Sequence, residues 1–494
     1  MGWSSRFRAE RIPFQITIPS HIENESSYSQ RMARSALLRG LAIVYLIAFA
    51  SMLPQVNGLV GSNGILPVAD YLDTIDSEYG TSGYALFPTL AWFDSSDTFL
   101  HVLLWAGMAL AVALFFRVLP VPTAIALYLL YLSIDTAGQV FFSFQWDALL
   151  LESGLAAILL APWGLRPRYT DPPPRMTIWV FRFLIFRLML ESGAVKLLSG
   201  DPAWRNLTAL NYHYETQPLP TPPAWYFHHL PGFVQKMSVA VVFAIELIVP
   251  FLLLAPRPIR RIAALVTIAF QLLIAFTGNY TFFNLLTIVL CFVPLFDDGR
   301  RTTQRGWYRW AISGAALVLI ITGLLQLSTM FGIPRRVPNV LAALDFRAET
   351  FHVVNRYGLF AVMTTSRPEI IIEGSDDGQN WKAYEFKYKP GELNRPLRWV
   401  APYQPRLDWQ MWFAALSNYQ NNPWFPQLLR RLLEGSPDVV RLLAVNPFPD
   451  RPPRFVRAST YDYHFSDAAM RRSTGAIWTR SYLGEYFPVV NLRR

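Results

Sequence analysis

Arg182, Arg187, Glu191 and Lys196 are ionisable side chains inside a stretch, residues 177 to 198, that is otherwise almost wholly apolar. An ionisable group at mid-membrane is costly, so each needs a partner or a purpose. Arg187 and Glu191 are four apart, share one helix face and can neutralise each other. Lys196 is five beyond Glu191, on another face and near the outer end of the stretch. Ser192, Gly193 and Ala194 lie just below it, small enough to let a second helix or a substrate approach. A lysine desolvated there could lose its proton near neutral pH and serve as a catalytic base, with Glu152, Arg187 and Glu191 setting its pKa. The alternatives are a lysine that snorkels to the outer interface or pairs with Glu152 or Glu246.

Further polar residues interrupt apolar sequence. Gln145 and Asp147, with Asp135 upstream, bracket one short connection, and Asn279 sits between two apolar runs; Gln145, Asp147 and Asn279 are read as a membrane polar cluster. Residues 200 to 232 form a conspicuous loop rich in aromatics and proline, containing Trp204, Tyr212, His213, Tyr214, Glu215 and Trp225. Such a loop suits a membrane interface or the capture of a client or substrate. His213, His228 and His229 with Glu215 are conceivable metal ligands, but no HxxxH or HExxH spacing occurs, so no metal site is expected. Asn206-Leu207-Thr208 is a glycosylation acceptor if the loop is lumenal. The sequence has no GxxxxGK[ST] phosphate loop, no GxSxG elbow and no kinase signature, which argues against soluble hydrolase or ATPase chemistry. Nothing in it calls for a cofactor.

The elements that position these residues follow from hydropathy. The 494 residues are 52% apolar, 15% aromatic and only 16% charged, with mean hydropathy +0.25. A soluble protein carries about 25% charge, so much of the chain meets lipid. About nine candidate spans lie near 36–55, 98–116, 119–139, 147–163, 177–198, 233–255, 260–277, 280–296 and 310–331. Arginines fall at every second connection, whereas residues 56–97 hold six acidic residues and no Lys or Arg. This alternation puts the N-terminus inside and the tail outside; merging any pair of spans would reverse the tail. It also accounts for the net charge of +10 without a nucleic-acid partner. Cys291 is alone, so no intramolecular disulfide or CxxC pair exists.

After Pro334 short alternating runs replace the spans: Ala361–Met363, Glu369–Gly374 and Lys382–Tyr388 read as strands. A helical insert near 408–445 carries Trp409, Trp412, Phe413, Leu428, Leu429, Leu432 and Leu433, a docking surface or a core. The expected fold is a polytopic α-helical membrane protein followed by a C-terminal β-rich, sandwich-like soluble domain. Its divisions are a cytoplasmic segment 1–35, a membrane domain 36–333 and an extracytoplasmic domain 334–494.

The sequence resembles the lipase maturation factor family over nearly its whole length. The resemblance is carried by Arg39-Gly40-Leu41-Ala42, Gly61–Pro67, Gln145–Gly154, Arg187–Lys196, Asp201–Trp204, Tyr212–Pro220, Gly278-Asn279-Tyr280 and Asn446-Pro447-Phe448. It implies a multi-pass protein of the endoplasmic reticulum membrane, or the inner membrane of a bacterium, with the bilayer and a secreted client such as a lipase as partners. It implies assisted maturation of that client rather than an enzyme. Gly193–Leu197 is more distantly similar to a Gly-x-x-Lys-Leu stretch of DoxX and vitamin K-dependent γ-carboxylase membrane domains, although Val195 stands where the carboxylase has a second lysine. That likeness implies the runner-up function, an integral-membrane enzyme acting on a quinone-like substrate with Lys196 as base. A transporter is the third reading, weakened by the lack of inverted repeats.

Overall fold

The computed structural model describes residues 20–167, 173–297, 306–332 and 346–492. Most of the expected N-terminal segment, Arg168, Arg300, Arg301 and Arg305, and the expected boundary at 333/334 lie outside the described residues.

The membrane half folds as α1 (Ser20–Met52), α2 (Asp97–Phe115), α3 (Pro120–Ala137), α4 (Gln145–Leu160), α5 (Arg175–Leu198), α6 (Gly232–Leu253), α7 (Arg257–Thr277), α8 (Phe283–Phe296) and α9 (Trp307–Met330). Local sequence sets their edges. The Ser96 hydroxyl accepts from the Phe99 amide at the start of α2, and Pro120 opens α3 at the position where its missing N–H is harmless. Between those helices the chain reverses within four residues, with Arg117 and Leu119 at positive φ.

Six of the described helices are long and apolar enough to cross a membrane: α1, α2, α3, α6, α7 and α9. The expected nine spans are not reached on that measure. α4 has 16 residues and α8 has 14, short of the roughly 20 that a span needs, and α5 carries its charges within an apolar run. The physical reason is position. Leu149, Leu150, Leu151, Phe181, Ile185, Leu286 and Leu290 are fully or almost fully buried, so α4, α5 and α8 form the interior of the bundle. A helix apolar on all sides need not touch lipid when other helices surround it.

Successive helices run in alternate directions. Connections 53–96, 138–144, 199–231 and 278–282 gather at one end with the tail; Gln55, Gln217 and Asn279 make hydrogen bonds there. The opposite end holds Arg182 and Arg260 against Asp297, and the Leu119 amide against the Leu165 carbonyl. The acidic connection and the tail therefore share one end, as the alternation of arginines implies.

The tail contains a four-stranded antiparallel sheet and a two-stranded ladder. β1 (Pro368–Ser375), β2 (Lys382–Ala383), β5 (Phe455–Phe465) and β6 (Trp478–Val490) form the sheet in the order β2-β1-β5-β6, and β3 (Glu385–Phe386) pairs with β4 (Leu443–Val445). β1 pairs with β5 along its length, from Pro368 opposite Asp462 to Ser375 opposite Phe455. The strand expected over Lys382–Tyr388 is thus divided between two sheets. It stops where the Tyr388 and Lys389 amides donate to Asp408. Ala361–Met363 is not a strand: the Met363 amide donates to Asp201 and the Phe360 carbonyl accepts from Trp204, so the loop above the bundle takes the backbone groups a neighbouring strand would need.

The helical insert consists of α10 (Arg406–Ala415), α11 (Trp424–Glu434) and the single turn Pro437–Val440. Trp409, Trp412, Leu428, Leu429, Leu432 and Leu433 are buried and only Phe413 is exposed, which makes the stretch core. One apolar cluster runs without interruption from Tyr45, Phe49 and Tyr131 in the bundle to Trp409 and Phe425 in the tail. At the join, Arg406 donates to both oxygens of Asp147 at 2.9 and 3.0 Å and stacks on the Phe142 ring, while the Tyr131 hydroxyl donates to the same carboxylate.

Arg406→Met strands a buried carboxylate, a change that costs about 3–5 kcal/mol. The unfolding midpoint of the detergent-purified protein should fall by several degrees and the tail should become protease-sensitive. Adding Asp147→Asn should recover part of the loss, because no charge then remains to be buried. A midpoint unchanged in Arg406→Met would mean the tail is held elsewhere.

Candidate functional site

Glu152 on α4 and Arg187 and Glu191 on α5 meet inside the bundle. Arg187 Nη1 lies 3.2 Å from Glu152 and its Nε 3.2 Å from Glu191. Gly323 on α9 gives the guanidinium room: a Cβ there would lie 2.5 Å from Arg187 Nη1. Two carboxylates face one guanidinium, and the tail makes up the balance. The Asn355 amide donates to Glu152 and the Tyr357 amide to Glu191, both at 2.8 Å, and the Tyr357 hydroxyl donates to Glu152 at 2.8 Å. The Asn355 carbonyl accepts from Arg187 at 2.5 Å. All four side chains are buried, so the cluster is a sealed polar hub between bundle and tail.

The expected membrane polar residues are used in the same way. Gln145 Oε1 accepts from the Gly358 amide, Asp147 holds Arg406, and Asn279 bonds the Arg398 carbonyl and the Val400 and Ala401 amides. None of the three bonds to another; each receives its own tail segment.

The loop at 199–231 lies beneath the tail. Trp204, Tyr214 and Trp225 are buried in a second apolar cluster with Tyr463, Phe465 and Trp478 of the sheet, and Tyr212 packs against it. Trp225 Nε1 donates to the Ser466 carbonyl at 3.0 Å. Glu215 accepts from the Phe465 amide, with His464 and His228 beside it. Buried Arg367 donates to the carbonyls of Glu215, Gln217 and Pro218. Among the described residues no group of three His, Cys, Asp or Glu side chains is placed to hold a metal.

Lys196 stands apart from the hub. Its Nζ lies 2.7 and 3.0 Å from the two oxygens of Glu246 and 2.9 Å from the Ser192 carbonyl, over the ring of Trp204. Glu246 projects from a π-helical turn, Ala244–Ile248, within α6. Gly193 admits that turn: a Cβ on Gly193 would lie 2.7 Å from the Glu246 Cβ. The pair borders a cavity of about 610 Å³ whose polar edge also includes His213, Tyr280, Gln271 and Asn284. His213 is pushed down to about 4 by burial and by the nearby Lys196 charge, so it is neutral at pH 7.

Two family models match the chain: the lipase maturation factor transmembrane domain over residues 32–302 and the lipase maturation factor C-terminal domain over residues 353–488. The chain belongs to the lipase maturation factor family. It is 36% identical to human lipase maturation factor 2 over 94% of this chain and 83% of that protein. It is 36% identical to mouse lipase maturation factor 1 over 93% and 87%, and 34% identical to the human form over 96% and 90%. No solved structure matches.

The hub therefore lies where the two domains of a lipase maturation factor meet, with Glu152, Arg187 and Glu191 from the first and Asn355 and Tyr357 from the second. Sequence reasoning brought Glu152, Arg187 and Glu191 together but missed Asn355, Tyr357, Arg367 and Arg406. Nothing in their local sequence marks them: Arg367 follows Thr364-Thr365-Ser366 and Tyr357 follows Arg356, as many exposed residues do. Glu246 is legible as an acid in an apolar run, the same signal that marks Lys196 as a cation in one.

His352 links the hub to α3: it lies 3.2 Å from Asp135 and 2.8 Å from Asn355 Oδ1. Burial disfavours its charged form, but the hydrogen bond and charge of Asp135, with Asn355 and the more distant Asp147, outweigh that and raise its pKa to about 9. A raised folded-state pKa stabilises fully below the unfolded value near 6.5, and the contribution is lost as pH rises through about 9. The unfolding midpoint should therefore drop more between pH 7 and pH 9.5 in wild type than in His352→Gln. Parallel curves would remove His352 from the seat.

Proposed function

We propose that this chain is a membrane-embedded maturation factor for exported lipases, with its tail as the client-facing platform. The match of both domains to lipase maturation factors carries the reading. The division into a membrane domain 36–333 and an extracytoplasmic domain 334–494, and residence in the endoplasmic reticulum membrane or a bacterial inner membrane, belong to the same proposal. Trp204, Tyr212, His213, Tyr214, Glu215 and Trp225 then act through the tail they seat, not by touching the client.

The client surface we assign is β6. Among the described residues it is the edge of its sheet, covered only at its start, where the Trp478 amide donates to the Leu393 carbonyl, and it exposes Tyr482, Leu483 and Val489. An unpaired edge with apolar side chains is a template for another chain's strand, and folded proteins ordinarily blunt such edges. A partly folded exported protein has unpaired strands to offer. Seating on the bundle keeps this edge fixed while the client is held. The enzyme reading needs a lysine free to take a proton, and Lys196 Nζ is instead satisfied by three oxygen contacts.

In cells lacking this protein, wild type should restore the specific activity of an exported lipase without changing its synthesis. Leu483→Asp, made at equal membrane level, should restore it by less than about a tenth, since it puts an uncompensated charge on the edge where the client strand would pair. Lys196→Met should restore it substantially. Full rescue by Leu483→Asp would remove β6 from the client surface. Failure of wild type to raise any exported lipase would overturn the function itself.

A further inference from the structure

The cavity beside Lys196 lies between α6 and α7 and opens sideways. Phe233, Met237 and Val241 of α6 and Leu273 of α7 line it and are 49–72% exposed, on two helices long and apolar enough to cross the membrane. Its mouth therefore faces lipid, and its volume, about 610 Å³, falls in the range of roughly 300–1,000 Å³ usual for small-molecule pockets. Apolar walls with a few convergent polar groups are the general form of such a site.

The polar groups restrict the occupant. Lys196 is the cation at the cavity edge, and its charge is matched by Glu246 in a contact that uses both carboxylate oxygens. No net positive charge is left there for a carboxylate or phosphate head. Gln217 Nε2 donates to the Tyr214 and Thr277 carbonyls, which fixes Gln217 Oε1 as an acceptor; the Tyr280 hydroxyl donates to it at 3.0 Å. With its one proton so used, Tyr280 can only accept from His213 Nε2 at 3.2 Å, so His213 carries its proton on Nε2 and offers Nδ1 as an acceptor. Asn284 donates through Nδ2 to Gln271 Oε1 at 2.7 Å. Its Oδ1 is buried, has no hydrogen-bond partner and belongs to a side chain that lines the cavity. A buried acceptor without a donor is unfavourable, so native structures rarely leave one. The unfilled capacity at the polar end is thus for a donor, and the charge balance there is neutral.

We infer that this cavity binds an uncharged, hydroxyl-bearing lipid that enters from the bilayer between α6 and α7, its hydroxyl donating to Asn284 Oδ1 and its apolar body against Met237, Val241 and Leu273. The hydroxyl could belong to a glycerolipid or to a simple long-chain alcohol. The inference does not rest on the client or on β6, and its readout is binding to the purified chain.

The test is photolabelling of the full chain in nanodiscs with clickable diazirine probes: hexadecanol, a monoacylglycerol, and palmitic acid. The alcohol or the monoacylglycerol should label peptides from 232–253 or 257–277 more strongly than the acid. Labelling by the monoacylglycerol alone identifies a glycerolipid, and labelling by both means the hydroxyl suffices. Val241→Trp, which fills the mouth, should abolish this labelling, with Met237→Trp as the second variant if the first is not monodisperse. Asn284→Leu should lower labelling by the hydroxyl probes about three- to tenfold, the factor of one net hydrogen bond, and leave a diazirine-bearing hexadecane unchanged. Equal or stronger labelling by the acid, or hydroxyl labelling insensitive to both the mouth and Asn284 variants, would overturn the proposal.

Discussion

Charges buried in a helical bundle must be balanced from within the protein, and at two places this bundle does not balance its own. Glu152 and Glu191 present two carboxylates to the single guanidinium of Arg187, and Asp147 is an acid among aromatic side chains. The missing donors are supplied from more than 150 residues away in sequence: the amides of Asn355 and Tyr357, the Tyr357 hydroxyl and the guanidinium of Arg406. Until the chain has been made as far as Arg406, the interior of the bundle contains acids with too few partners. Bundle and tail are therefore one folding problem, as their continuous apolar cluster also indicates.

The same constraint explains which parts of the fold can be read from sequence. Helices that face lipid are recognised by length and composition, and α1, α2, α3, α6, α7 and α9 satisfy both. α4, α5 and α8 are read equally well as apolar segments, but hydropathy does not say whether an apolar helix meets lipid or other helices. In the tail, β1 is legible because three consecutive isoleucines, Ile370 to Ile372, precede a polar turn, and the strand pairs along its whole length. Ala361–Met363 has the same texture but bonds to Asp201 and Trp204, residues of a distant loop that a local pattern cannot contain.

Candidate site residues divide along similar lines. The i,i+4 relation between Arg187 and Glu191 is a property of one helix and holds in the structure. That Lys196 faces another way is likewise a consequence of its five-residue offset, and of the alternatives open to it the pair with Glu246 is the one formed. The small residues below it do admit a second helix, through Gly193. The loop aromatics show the opposite limit. Trp and Tyr suit a membrane interface, a client or a core, and only the position of the sheet above them decides that Trp204, Tyr214 and Trp225 are core.

Arginine and lysine are used differently for a physical reason. A guanidinium has five donors in a fixed fork, so Arg187, Arg367 and Arg406 are satisfied only where several carbonyls and carboxylates converge, and each closes a join between bundle and tail. An ammonium is a compact charge that three oxygens complete, so Lys196 can sit at the edge of a cavity without sealing it. The two arrangements are nevertheless connected through the backbone. Asn355, Tyr357 and Gly358, which complete the hub and hold Gln145, continue directly into Leu359 and Phe360, which line the cavity. The Phe360 carbonyl is fixed by Trp204, the same ring that covers Lys196. One wall of the cavity is thus part of the tail, and the shape of that wall depends on the hub that seats the tail.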